Sequence, residues 1–560
     1  MFRRAAATRA RVARVGVDGR SAARLASSLP RPPPRRLALF RDAERRRRVP
    51  GAESASDMRP DAAVDPASAL ERIRGEVTAI RGALPPGVES VTDPVVARYV
   101  VFPSGASDAH DHGGGGCRPN PSPETGPWHV HARVRGAPGA GYDRAAYRFR
   151  LSFNAMYPRE PPDVHLLSIC HHALVDPDKE LSSLFYHPAN LKPSKILRAN
   201  DAGSSSVAGA EYDLGGVLRA VRAFLSRPLE IPRSDDDDDD DALERATRRL
   251  ARDWASAAAS NLEREEIIAA YLEKKAGGGP SDARLFDGAN GWPREFYHPD
   301  LAAALDEDGR LSAASASRLA REEAPGVYSF PMLSDAGRAA IAREVEHFQR
   351  DANLPVRRPN SMNNYGLIVN EIGMERAVDA LQRNILAPIS EALFPAQGGG
   401  ALDGHHSFVV QYEQGADLGL DMHTDDSDVT FNVCLGKEFT GAGLSFCGVL
   451  GGDAHRKLSF VYTHVPGRCV AHLGAMRHGA DDLETGSRMN LIVWNHSSLY
   501  RRSDAYRWRE VPEEKEPPDP RCLSYTHDKD FARFKEYPPG KEGFRETAWY
   551  PPRAEKVRMR

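Results

Sequence analysis

His423-Thr-Asp-Asp-Ser-Asp-Val-Thr-Phe-Asn-Val-Cys-Leu-Gly-Lys-Glu-Phe-Thr-Gly-Ala-Gly-Leu444, then His478-Gly-Ala480, then Thr485-Gly-Ser-Arg488-Met-Asn-Leu-Ile-Val-Trp494 are the words that decide how this chain is read. They hold a His-x-Asp pair, His423 and Asp425, a lone His478 well downstream, and Arg488 ten residues after it. Two imidazoles and one carboxylate are the ligand set that holds non-haem Fe(II) while leaving coordination positions open. A guanidinium close by suits a dicarboxylate, which it can grip with two parallel hydrogen bonds. His423 and Asp425 are two apart, so on an extended chain both point to one face. His478 is read in a turn just before the last strand. Spacing alone leaves a second reading open. His405, His406, His455, His464, His472 and His496 crowd the same region, and a lone strand histidine is more often structural. Asp426 and Asp428 read as solvated.

Short alternating runs surround these words, at 408–412, 429–435, 444–449, 458–462, 469–473 and 490–494, with Gly-rich turns between them. Many short strands of this kind predict a sandwich or closed double sheet. Helical spacing precedes them at 296–306, 335–351 and 373–393. Ser334 stands where it caps the second helix, and Ile341, Val345 and Phe348 form its apolar stripe. A short strand at 328–330 and a polar run at 358–366 lie between, the latter read as a turn near the site. The pattern is a jelly roll backed by helices.

The first half has a different texture. Arg3, Arg4, Arg9, Arg11 and Arg14 among Ala and Val make residues 1–56 a basic disordered leader or an organelle transit peptide. An amphipathic helix at 67–84 (Leu70, Ile73, Val77, Ile80, Leu84) stops at Pro85-Pro86-Gly87. A Gly-rich loop at 104–126, holding His110, His112 and Cys117, reads as a solvated insertion. Trp128, Val130, Ala132 and Val134 alternate with polar residues, as do Tyr147, Phe149, Leu151 and Phe153, so two strands follow. Asp235–Asp241 is a self-repelling run read as a loop. A helix at 242–275, with Leu250, Trp254, Ile267 and Tyr271, is expected to pack on the preceding sheet. Gly277-Gly278-Gly279-Pro280 marks a linker at 276–290. Residues 501–560 form a charged, Pro-rich tail.

Bulk properties set outer limits. Length 560 allows several domains, and 75 basic against 78 acidic residues give a net charge of −3. That balance gives no pull toward nucleic acid. No apolar run is long enough for a transmembrane helix. Six scattered cysteines without Cys-x-x-Cys spacing point to an intracellular, reducing compartment.

Two resemblances follow from these residues. The helix, the Leu-Pro-Pro stop, the Trp128 strand, Gly136-Ala-Pro-Gly-Ala-Gly-Tyr142 and Tyr157-Pro-Arg-Glu-Pro-Pro-Asp-Val164 resemble the ubiquitin-conjugating fold over 67–275. That family needs a cysteine thiolate shortly after a His-Pro-Asn segment. Here the region reads Cys170-His171-His172-Ala173-Leu174-Val175-Asp176, and no cysteine follows before Cys434. Cys170 falls ahead of the expected place, on what reads as a strand. The implied module is catalytically inactive in ubiquitin transfer, and is either a site for a protein partner or a structural appendage.

The metal-binding words, and Arg358-Pro-Asn-Ser-Met-Asn-Asn-Tyr-Gly366 with them, resemble the 2-oxoglutarate and Fe(II)-dependent dioxygenases of the prolyl and lysyl hydroxylase superfamily. Within it they are similar to the group named 2-oxoglutarate and iron-dependent oxygenase domain-containing protein 2. The resemblance implies an α+β chain with a ubiquitin-conjugating-like domain in front of a double-stranded β-helix at 291–500. It implies that His423, Asp425 and His478 bind Fe(II) and that Arg488 binds the far carboxylate of 2-oxoglutarate. Tyr412 assists, and Asn432 lines the site by analogy. It further implies O₂ as co-substrate, succinate and CO₂ as products, L-ascorbate as reductant and a protein side chain as substrate. The rival reading is an idle scaffold or binding module that keeps the site without using it.

Overall fold

The computed structural model describes residues 66–96, 127–168, 170–175, 181, 211–229, 240–274, 278–360, 362–450, 452, 454–455, 457–503 and 506. The leader, the 104–126 insertion, Asp235–Asp239 and most of the tail lie outside them.

The chain first builds a five-stranded antiparallel sheet from β1 (Val88–Val91), β2 (Val95–Val96), β3 (Trp128–Val134), β4 (Tyr147–Phe153) and β5 (Asp163–Leu166). Its order is β1-β3-β4-β5, with β2 also on β3. The alternation of β3 and β4 sorts their side chains by face. Trp128, Val130, Phe149 and Leu151 enter one core with Ile73 and Val77 of α1 (Pro66–Gly82) and Leu218 and Phe224 of α2 (Leu214–Phe224). Asp213 caps α2 by accepting from the Gly216 N–H. Cys170 lies outside any strand, correcting that expectation: its residue is half-buried just past β5.

α3 (Asp240–Leu272) belongs to two cores. Leu250, Trp254 and Ala258 pack on the first sheet, but Ile267 and Tyr271 enter the larger core behind the second half of the chain. The expectation that the whole helix lies on the preceding sheet therefore holds only as far as Glu265, which accepts from the Tyr147 hydroxyl of β4. The last turns have a different partner. Tyr271 is fully buried edge-on to Phe348 at 4.8 Å, and its hydroxyl donates to Glu344.

The polar face of the first sheet is also covered. Arg148 of β4 pairs with Asp379 at 2.8 Å and Arg150 of β4 with Asp403, and Arg264 of α3 pairs with Glu375 at 2.6 Å. Arg150 and Arg264 are nearly inaccessible to solvent, so each depends on its carboxylate to offset lost hydration. All three carboxylates come from 375–403, so the two halves meet through buried charge as well as apolar contact.

The second half is a double sheet. The larger sheet has the order β6-β7-β15-β11-β17-β9-β8, with β12 on β17. Its strands are β6 (Arg321–Ala324), β7 (Val327–Pro331), β8 (Gly366–Ile368), β9 (Gly404–Glu413), β11 (Val429–Gly436), β12 (Phe439–Gly441), β15 (Arg468–Leu473) and β17 (Leu483–His496). The smaller sheet runs β10-β16-β13-β14, from β10 (Leu420–His423), β13 (Leu444–Val449), β14 (Phe460–Tyr462) and β16 (Met476–Ala480). Every pairing is antiparallel. Val409, Phe431, Val433, Leu491 and Val493 face helices, while Phe408, Val410, Tyr412 and Ile492 face the smaller sheet. This is the jelly-roll-like core with helices behind it.

Those helices are α4 (Asp335–Asp351), α5 (Glu375–Leu381) and α6 (Ala387–Leu393), the last two joined by a π-helical stretch at Gln382–Leu386. Ser334 caps α4 through the Gly337 N–H, and Ile341, Val345 and Phe348 are buried. The expected helix at 296–306 shortens to Pro299–Ala304 after a 3₁₀ turn, and the strand at 458–462 to β14. β10 and β16 had no clear alternation to announce them. A short helix, α7 (Ser498–Arg502), follows β17. No helix among the described residues is long and apolar enough to cross a membrane.

Candidate metal centre

His423 ends β10 and His478 lies inside β16, where the two are register partners across an antiparallel pair. His478 is therefore a strand residue and not a turn residue, which corrects the sequence reading. Arg477 before it and Gly479-Ala480 after it gave it no visible alternation. Asp425 sits two residues past the end of β10. Its N–H donates to Gly474 O at 2.9 Å, and the chain bends just after it, at 426–428. The turn carrying Gly474 accepts nothing larger: a Cβ at this position would meet Ser427 O at 2.0 Å.

The three ligand atoms lie within 4.8 Å of one another. His423 Nε2 stands 3.4 Å from Asp425 Oδ1, and His478 Nε2 stands 3.6 Å from Asp425 Oδ2. Each ring is turned by its other nitrogen. His423 Nδ1 is 2.7 Å from Asp421 O and His478 Nδ1 is 2.8 Å from Met476 O. A carbonyl only accepts, so both Nδ1 atoms carry the proton and both Nε2 lone pairs face the carboxylate. Such backing bonds fix a metal-binding imidazole in tautomer and orientation. Burial lowers the His478 pKa to about 3, keeping that ring neutral. The Thr430 hydroxyl donates to Asp425 Oδ2 at 2.6 Å.

Arg488, on β17, is opposite Tyr412 of β9 and faces the space between the sheets. Its guanidinium carbon lies 4.5 Å over the Tyr412 ring, and one terminal nitrogen donates to Ala442 O. Its Nε is buried with no hydrogen-bond partner. A buried guanidinium short of an acceptor fits an anionic ligand that supplies one. Asn363 Nδ2 donates to the Tyr412 hydroxyl at 3.3 Å, which brings the polar run at 358–366 to this place. Asn432, in the middle of β11, accepts from Asn490 Nδ2 at 2.5 Å. Asn490 follows Arg488 by two residues on the same face of β17, and its Nδ2 is also 3.5 Å from Nδ1 of the buried His464.

Sequence reasoning left Asn363, Asn490, His464, Thr430 and His472 unassigned. Asn490 was findable, since it shares the strand face of Arg488. His472, fully buried with its ring 4.4 Å from that of His478, had no signal beyond its type.

Residues 292–399 match the OGFOD2-like domain family. That match covers the helical part ahead of the metal centre. The chain is 35% identical over 223 residues to the 2-oxoglutarate and iron-dependent oxygenase domain-containing protein ICU11 of Arabidopsis thaliana, covering 38% of this chain and 55% of the relative. It is 40% identical over 178 residues to the human 2-oxoglutarate and iron-dependent oxygenase domain-containing protein 2, covering 32% of this chain and 51% of the relative. A more distant match, 26% identical over 180 residues, is the human multifunctional procollagen lysine hydroxylase and glycosyltransferase LH3, covering 29% of this chain and 22% of the relative. The chain thus spans about half the length of the first two relatives.

Proposed function

We propose that this chain is an Fe(II)- and 2-oxoglutarate-dependent dioxygenase that hydroxylates a protein side chain. One observation carries the reading. Two register-paired imidazoles turn their Nε2 lone pairs onto one buried carboxylate, with all ligand atoms within 4.8 Å. The donor set, neutral imidazoles and a carboxylate, suits Fe(II), and its one-sided arrangement leaves the opposite positions open.

In this reading His423 Nε2, His478 Nε2 and Asp425 hold the metal, and the Asp421 and Met476 carbonyls keep the rings in place. Thr430 stops the Asp425 carboxylate from rotating. Arg488 binds the distal carboxylate of the oxo acid. The Tyr412 hydroxyl accepts from Asn363 and keeps its own proton to donate to the same carboxylate. Burial raises the Tyr412 pKa and so preserves that proton. Asn432 and Asn490 wall the pocket as a hydrogen-bonded pair. Oxidative decarboxylation of the oxo acid by O₂, with succinate and CO₂ released and a hydroxyl delivered to substrate, is the chemistry that Fe(II) supplies when bound. L-ascorbate is the proposed reductant. The protein-substrate assignment is supported by the name of the lysine hydroxylase relative. Residues 67–275 are proposed to be a ubiquitin-conjugating-like module without the thioester cysteine, 276–290 its linker, and 291–500 the oxygenase.

The test uses the full chain without oxygen. Fe(II) and 2-oxoglutarate together should produce the visible charge-transfer band of the chelate, and Asp425→Ala should abolish it. A folded wild-type protein that gives no band overturns the enzyme reading in favour of a scaffold.

A further inference from the structure

The loop that carries Asp425 is pinned on both sides by groups remote in sequence. β10 ends at His423 and β11 begins at Val429. On one side the loop is zipped to Gly474: Asp425 N–H donates to Gly474 O at 2.9 Å, and Gly474 N–H donates to Asp428 O at 3.1 Å. On the other side stands α7. The Asp428 carboxylate accepts from Ser497 N–H at 2.6 Å and from Arg501 Nε at 3.1 Å. The terminal nitrogens of Arg501 both reach Asp426 Oδ1 at 3.3 Å. The Arg501 side chain is 9% exposed and that of Asp428 1%, so Asp428 is not the solvated acid expected from the sequence, whereas Asp426 is 83% exposed. One buried guanidinium thus bridges the first and third residues after Asp425.

α7 is itself anchored. Asp403 accepts from Ser498 N–H at 3.0 Å, and also from the Ser498 hydroxyl and from Arg150 of β4. The cation therefore sits on an element held from both halves of the chain. Without it, the carboxylates of Asp426 and Asp428 would follow that of Asp425 on a short loop without the opposite charge that now bridges them. Asp428, buried and uncompensated, would turn toward water and take the loop backbone with it. The Asp425 peptide, zipped to Gly474, is part of that backbone.

Resting on the metal-site reading above, we propose that Arg501 is a positioning residue for the metal centre: by bridging Asp426 and Asp428 it fixes the loop that presents Asp425 to His423 and His478. Its chemical partner is the loop and not the metal, the oxo acid or the substrate.

The experiment titrates Co(II), a coloured stand-in for Fe(II), into the full chain and into Arg501→Gln, Arg501→Lys, Asp428→Asn and Arg264→Gln. The Co(II)-saturated proteins are then titrated with 2-oxoglutarate by calorimetry. Outer-shell losses of this kind typically weaken metal binding by about 10-fold to 100-fold. Arg501→Gln is expected in that range, with partial recovery in Arg501→Lys and with 2-oxoglutarate affinity of the saturated protein within about twofold. Arg264→Gln removes a buried cation away from the loop and so reports general destabilisation; it should leave Co(II) affinity unchanged. If Arg501→Gln does not fold, Asp428→Asn decides, because the amide still accepts from Ser497 N–H but carries no charge for Arg501. Co(II) affinity within about twofold of wild type in the folded variants overturns the proposal, as does an equal loss in Arg264→Gln. A wild-type protein that binds no Co(II) overturns the metal-site reading itself, and the proposal with it.

Discussion

Replacing Arg488 with Gln tests the oxo-acid pocket most directly, because its effects on the free and the bound protein differ. Without ligand, Arg488 is a buried cation that donates to Ala442 O, stacks on Tyr412 and leaves Nε unpaired. Gln removes the desolvated charge, a gain, and the stacking contact, a loss of roughly 0.5–2 kcal/mol. These oppose each other, so the ligand-free, metal-loaded protein should change in stability by no more than about 1 kcal/mol. With ligand, two parallel charge-assisted bonds are lost, each worth roughly 1.5–3 kcal/mol. Part of one returns through the amide N–H, leaving a deficit of about 3–4 kcal/mol, or roughly 10²–10³ in Kd. Thermal unfolding reads both at once. At a 2-oxoglutarate concentration of about 100 times the wild-type Kd, wild type gains about 2.7 kcal/mol. The variant then gains about 0.4 kcal/mol or less. Pyruvate, an oxo acid without the distal carboxylate, should stabilise both proteins equally. The reasoning is refuted if Arg488→Gln keeps the full 2-oxoglutarate response, or if it loses the pyruvate response as well.

Other consequences follow from single contacts. Gly474→Ala would drive a methyl into Ser427 O, so the Asp425 loop must shift; metal affinity should fall by more than about tenfold, read by Co(II) titration. Tyr271→Phe keeps the ring against Phe348 but removes a donor from the buried Glu344, which then relies on Ser281 N–H, Ser281 Oγ–H and Asp282 N–H. The expected loss is about 1.5–3 kcal/mol in urea unfolding, and a shift below about 0.5 kcal/mol would contradict it. His131 and His172 have pKa values lowered to about 4, by burial first in each. Unfolded histidines bind protons from about pH 6.5 down. Their contribution is therefore full above that pH and is lost as pH falls through about 4, by about 3 kcal/mol for His172. His172→Phe should flatten the stability profile between those limits, and an unchanged slope would show that His172 does not titrate as described.

The sequence by itself determined the local pattern and the chemistry on offer. Alternation at β9, β11 and β17 told which side chains share a face, because a strand's period is two. Ser334 and the Ile341-Val345-Phe348 stripe marked α4 for equally local reasons. The residue types in the His-x-Asp word and its distal His and Arg named a ligand set. Tertiary structure decided where those residues stand. His478 belongs to a strand because β10 and β13 flank it with hydrogen bonds, which its Gly and Ala neighbours could not announce. Asp425, past the end of β10, has its N–H paired with the distant Gly474 O. The last turns of α3 pack behind the double sheet of the second half because Tyr271 finds Glu344 there. Arg501 reaches Asp428 only after β17 has returned the chain to the start of β11. Periodicity is set by backbone geometry within a few residues, whereas these contacts depend on which distant segments burial brings together, and only the folded chain holds that information.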